Sequence, residues 1–121
     1  MIAVIFEVLP ANGKRDAYLG LAADLRPLLE GIEGFISIER FQSLTDPNRL
    51  LSLSFWRDEA AVTAWRNGAE HRAAQAAGRR GVFADYRLRI ASVVRDYSLR
   101  ERDEAPPDSR HWHEKSEAGQ R

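Results

Sequence analysis

Apolar residues fill Ile2 to Leu9 with Glu7 as the one charged interruption. Ile2, Val4, Phe6 and Val8 fall on one face of an extended chain, and Ala3, Ile5 and Leu9 on the other. A run apolar on both faces predicts a strand covered on both sides. Pro10 cannot continue a ladder and Asn12-Gly13 is a strong turn signal, so the strand ends there. From Lys14 to Gly31 the period changes. Tyr18, Leu21, Ala22, Leu25, Leu28, Leu29 and Ile32 form one stripe at helical spacing, with Asp16 and Asp24 off it. Pro27 removes the hydrogen bond to residue 23 and predicts a kink. The stripe stays in phase beyond it, so the helix continues until Gly31 and Gly34 stop it.

Phe35 to Phe41 reads as a second strand, with Phe35, Ser37, Glu39 and Phe41 on one face and Ile36, Ile38 and Arg40 on the other. Leu44 to Asn48 is a turn opened by Asp46-Pro47. The third strand, Leu50 to Trp56, puts Leu51, Leu53 and Phe55 opposite Ser52, Ser54 and Trp56. It runs straight into a short helix, with Asp58 as N-cap and Ala61, Val62 and Trp65 at helical spacing. Gly68 separates this helix from a second, Ala-rich one over Ala69 to Gly78. Gly78 to Gly81 is a loop, with Arg79-Arg80 between its glycines, and Val82 and Phe83 anchor it. The fourth strand is expected over Tyr86 to Val94.

The order β-α-β-β-α-β predicts an α+β, ferredoxin-like domain over residues 1–99, with a four-stranded antiparallel sheet and both helices on one face. Residues 100–121 are charged, contain Pro106-Pro107, and read as a polar tail whose large anchor, Trp112, would dock on the body or on a partner subunit. Helices with a single apolar stripe cover one sheet face only, yet strands one and four carry apolar residues on both. Exposing each large side chain forfeits roughly 1.5–3 kcal/mol, so a second copy packed sheet to sheet across a two-fold axis is the expected cover.

Composition narrows the chemistry. The chain has 121 residues, no cysteine and a formal net charge of zero. Disulfides, thiolate metal sites and cysteine nucleophiles are excluded, and nothing supports nucleic-acid binding. No apolar run approaches the ~20 residues of a membrane span. The apolar N-terminus lacks a basic leader region, so no membrane partner and a cytoplasmic location are expected. His111-Trp112-His113 supplies two metal ligands without a third nearby. Among charged strand residues, Arg40, Arg87 and Arg89 either pair with Glu7 or Glu39 or form a cluster for an anionic substrate.

Residues 1–97 resemble the antibiotic-biosynthesis-monooxygenase family of dimeric α/β-barrel proteins. The resemblance is carried by the first strand, by Gly34-Phe35-Ile36-Ser37, and by Leu53 to Ala61 running into Ala64-Trp65 and Glu70-His71. It implies a homodimer and a cofactor-independent oxidation of a small phenol- or quinol-like aromatic by O2. The phenol-oxidising members carry Asn four positions before the Trp and Tyr six after it; here these are Ala61 and His71. His71 is thus the candidate base and Trp65 the pocket wall, with Phe6, Phe83, Tyr86 and Arg40 as substrate-binding candidates. The haem-degrading members carry a ligating His ten positions after the Trp and an Asn on the first strand, where this chain has Gln75 and Phe6, so haem is disfavoured as cofactor. The alternative functions are a non-catalytic small-molecule-binding homodimer and a haem-binding or haem-degrading enzyme.

Overall fold

The computed structural model describes residues 1–68, 72, 76 and 81–108. Six elements follow in order: β1 (Ile2–Pro10), α1 (Arg15–Glu30), β2 (Phe35–Gln42), β3 (Leu50–Trp56), α2 (Glu59–Arg66) and β4 (Phe83–Ser92). The strands form one antiparallel sheet in the order β2-β3-β1-β4. This is the ferredoxin-like arrangement that the sequence predicts.

Register decides which side chains share a face. Ile2, Val4, Phe6 and Val8 of β1 stand opposite Trp56, Ser54, Ser52 and Leu50 of β3, and opposite Ser92, Ile90, Leu88 and Tyr86 of β4. This face carries the helices. Here α1 buries Tyr18, Ala22 and Leu29, and α2 buries Ala61 and Val62. The core falls into two clusters. One joins Ile2, Val4, Leu29, Ile38, Trp56 and Val62; the other joins Val8, Tyr18 and Leu50.

Three sequence expectations need correction. The helical stripe does not bury Leu28, which lies at its edge and is 47% exposed. The pleat of β2 does not alternate unbroken: Phe35 stands opposite Trp56 and Ser37 opposite Phe55, so a bulge takes up Ile36. Phe35 therefore joins the helix-facing side, its ring 5.2 Å from that of Trp56, and Ile36 is turned out. Pro10 ends β1 at a register shift against Phe83, the kind of irregular position where a missing N–H is tolerated. β4 accordingly begins at Phe83 and ends at Ser92, against the expected Tyr86 and Val94.

Two joints fix α2 on the sheet. The Asp58 carboxylate accepts a hydrogen bond from the Ala61 N–H at 2.9 Å, closing the helix N-terminus. Gly34, which joins α1 to β2, has φ +91°, and a Cβ placed there would lie 2.7 Å from Cβ of Ala61. Both conformation and space demand glycine where the loop meets the first turn of α2.

The opposite sheet face carries Ala3, Ile5, Glu7 and Leu9 of β1, Leu51, Leu53 and Phe55 of β3, and Arg87 and Arg89 of β4. No described helix lies on it. Arg89 pairs with Glu7 at 3.1 Å, as the charge pattern suggested. Beyond β4, the Asp96 N–H donates to the Glu104 carboxylate, the Arg102 guanidinium lies 5.3 Å from the Tyr97 ring centroid, and Ala105 is buried. Trp112 and the His111–His113 pair lie outside the described residues. Among the described residues no helix is long and apolar enough to cross a membrane.

Candidate functional site

Between the two core clusters the helices do not close on the sheet. β3 presents Leu50, Ser52, Ser54 and Trp56 to the helices, so its two central positions are small. The space left above them is a cavity of about 180 Å³. β1 contributes Val4 and Phe6 to its floor, and β2 contributes Ile38 and Arg40. α1 roofs it with Tyr18, Leu21 and Leu25, and α2 closes one end with Val62 and Trp65.

The two ends are aromatic. At one, the Trp65 ring stacks on Trp56 at 5.1 Å with 23° between planes. Trp56 is fully buried, its indole N–H donating to Ser54 Oγ at 2.9 Å, so it is a rigid backing for Trp65. At the other, Phe6, Phe83 and Tyr86 meet mutually at centroid distances of 5.6–5.8 Å. Tyr18 adds a fourth ring 5.9 Å from Phe83. Tyr86, Leu88 and Ile90 line the cavity yet remain 44–50% exposed, so it opens along β4. A flat apolar molecule can enter there and lie between the two aromatic ends.

Polar groups are few. Ser52 Oγ and the Tyr18 hydroxyl make no hydrogen bond with a described residue. Arg40 is half-buried; its Nε is fully buried and has no hydrogen-bond partner among the described residues. Arg66, in the last turn of α2, also lines the cavity. Among the described residues no group of three His, Asp or Glu side chains is placed to hold a metal.

The site residues expected from sequence are therefore brought together in part. Trp65, Phe6, Phe83, Tyr86 and Arg40 all line this one cavity. His71 and Gln75 lie outside the described residues. The arginine cluster does not form: Arg40 points to the helix face, whereas Arg87 and Arg89 share the opposite face with Glu7. Tyr18, Ser52 and Arg66 were not among the sequence candidates. The signal for Ser52 was its phase with Trp56, since two serines sharing a face with a core tryptophan mark a gap in the packing.

Residues 1–77 match the family described as antibiotic biosynthesis monooxygenase. A Pyricularia oryzae protein named jasmonate monooxygenase ABM is 50% identical over 94 residues, which is 78% of this chain and 44% of that protein. The Bacillus subtilis protein YqjZ is 31% identical over 68 residues, 56% of this chain and 58% of its own. The chain thus spans about half the length of the curated relatives it matches. The solved structure of Rv0793 from Mycobacterium tuberculosis shares the fold, with a TM-score of 0.72 at 16% identity over 80% of this chain and 98% of that one.

Proposed function

The chain belongs to the antibiotic biosynthesis monooxygenase family, and from that membership we propose that it is a cofactor-independent monooxygenase acting, as a homodimer, on a small phenol- or quinol-like aromatic. The observation that carries this reading is the cavity between sheet and helices, apolar, open along β4 and bounded at both ends by aromatic rings. The relative named jasmonate monooxygenase supports oxygenation as the reaction class.

In this reading Trp65 and the Phe6–Phe83–Tyr86 group hold the substrate ring and exclude bulk water. His71, six positions after Trp65, takes the phenolic proton, a task suited to a near-neutral imidazole. The phenolate is electron-rich enough to reduce O2 itself. A C–O bond then forms at the ring carbon para to the hydroxyl. The O–O bond breaks with loss of the para hydrogen, and one oxygen leaves as water. The balance is one phenol plus one O2 giving one quinone plus one water, with the substrate as the only reductant.

Oxygen uptake tests this. A panel of phenols and hydroquinones should support uptake by the protein without added flavin or metal, and His71→Ala should abolish it while the circular dichroism spectrum is kept. Uptake unchanged in that variant removes His71 from the mechanism. Binding of panel members without any uptake favours the non-catalytic reading.

A further inference from the structure

We propose that the cavity selects substrates bearing a carboxylate, and that Arg40 is the residue that anchors it. The proposal rests on the reading of this cavity as the substrate site. It adds a permanent negative charge to the class of molecule bound there.

The bulge at Ile36 puts Phe35, Ile38 and Arg40 on the helix-facing side, and register sets Arg40 directly opposite Ser52. That side is the cavity floor. A long cation there is costly. A guanidinium nitrogen taken out of water needs a compensating acceptor. By contrast, Arg89 of β4 is paired with Glu7, and Arg57, just after β3, with Glu33 and Asp58. Arg40 has no such partner among the described residues, and its Nε is buried without a hydrogen bond.

The remainder of the lining points the same way. Arg66 is a second cation, and no described lining residue is Asp or Glu. A mostly apolar cavity whose described lining has two arginines and no carboxylate complements an anion. The guanidinium fork matches the two oxygens of a carboxylate bidentately. Ser52, directly across the strand pair, offers a hydroxyl donor beside it. A phenolate formed only during turnover would leave Arg40 unmatched in the bound ground state; a carboxylate satisfies it from the moment of binding. The class indicated is therefore a compact apolar ring carrying one carboxylate, with the ring between the aromatic ends and the acid on the β2–β3 floor.

The test compares 1-naphthoate with the neutral, near-isosteric 1-naphthamide, by calorimetric titration of the full chain near neutral pH under nitrogen. Turnover plays no part, so an inactive protein can still pass, and an active one can still fail. A charge-assisted pair predicts that the acid binds about tenfold or more tightly than the amide. In Arg40→Met the two should bind within about twofold of each other, and Arg40→Lys should keep part of the preference. Because Arg40 has no hydrogen-bonding or ion-pair partner among the described residues, the unliganded Arg40→Met protein should melt no lower than the parent. Equal affinity for acid and amide in the parent overturns the proposal. So does a preference that survives in folded Arg40→Met, or failure of both compounds to bind.

Discussion

At position 52 a serine stands where a packed sheet would carry a branched aliphatic, and the cavity exists largely because of it. Ser52 and Ser54 are buried, yet among the described residues only the Ser54 hydroxyl is engaged, by the Trp56 indole. This was the hardest part of the site to read. Leu51, Leu53 and Phe55 alternate with the serines, and alternation alone does not say which face meets the helices. Three apolar residues against two serines argue for the wrong side. Leu50 and Trp56, in phase with the serines and buried, argue for the right one. Asp58 was legible, because an N-cap is a local device. Its effect can be measured. Hydrogen bonding from the Ala61 N–H, and then from Arg57, holds its pKa below the usual carboxylate range. A pKa lower in the folded than in the unfolded state contributes stability above the unfolded value of about 4, and that contribution is lost as pH falls through the folded value. The stability difference between the parent and Asp58→Ala, from thermal melts, should therefore be full near neutrality and shrink below about pH 4. A difference independent of pH would contradict this origin.

Elements were read more securely than their faces. Helix α1 declares itself by period, and even Pro27 does not end it, because the residues beyond stay in phase and Leu29 reaches the core. Its margin was overdrawn at Leu28, since the stripe marks which residues could be buried and the sheet curvature decides which are. Strand β2 failed for a different reason. A bulge adds one residue to the count and reverses every side chain on one side of it. No residue type in Phe35-Ile36-Ser37 announces that, whereas the pairing to β3 requires it. The consequence for the site is direct. Position 40 shares the helix face with Phe35 and Ile38, and the three strand arginines are divided between two faces.

For the whole molecule, the same face that lacks a helix carries Ile5, Leu9, Leu51, Leu53 and Phe55, all half-buried in the single chain. β4 is exposed on both its faces, Tyr86, Leu88 and Ile90 included. Edge and face together form a contiguous apolar surface of the kind that marks an interaction site. Pairing sheet to sheet, as an obligate interface that buries more than about 2,000 Å², would cover it and leave the helix-side cavity free. Sedimentation equilibrium at micromolar concentration should accordingly give twice the chain mass of 13.7 kDa; a folded monomer would contradict the pairing. The proposed function stands on oxygen transfer to substrate inside the cavity over Ser52. The direct measurement is product mass after reaction under 18O2 with a phenol from the uptake panel, run in parallel with Ser52→Leu, whose larger side chain fills the floor. One 18O atom per quinone is expected from the parent, and no labelled product from a Ser52→Leu protein that is still folded. Unlabelled product, or undiminished labelled product from the filled variant, would contradict it.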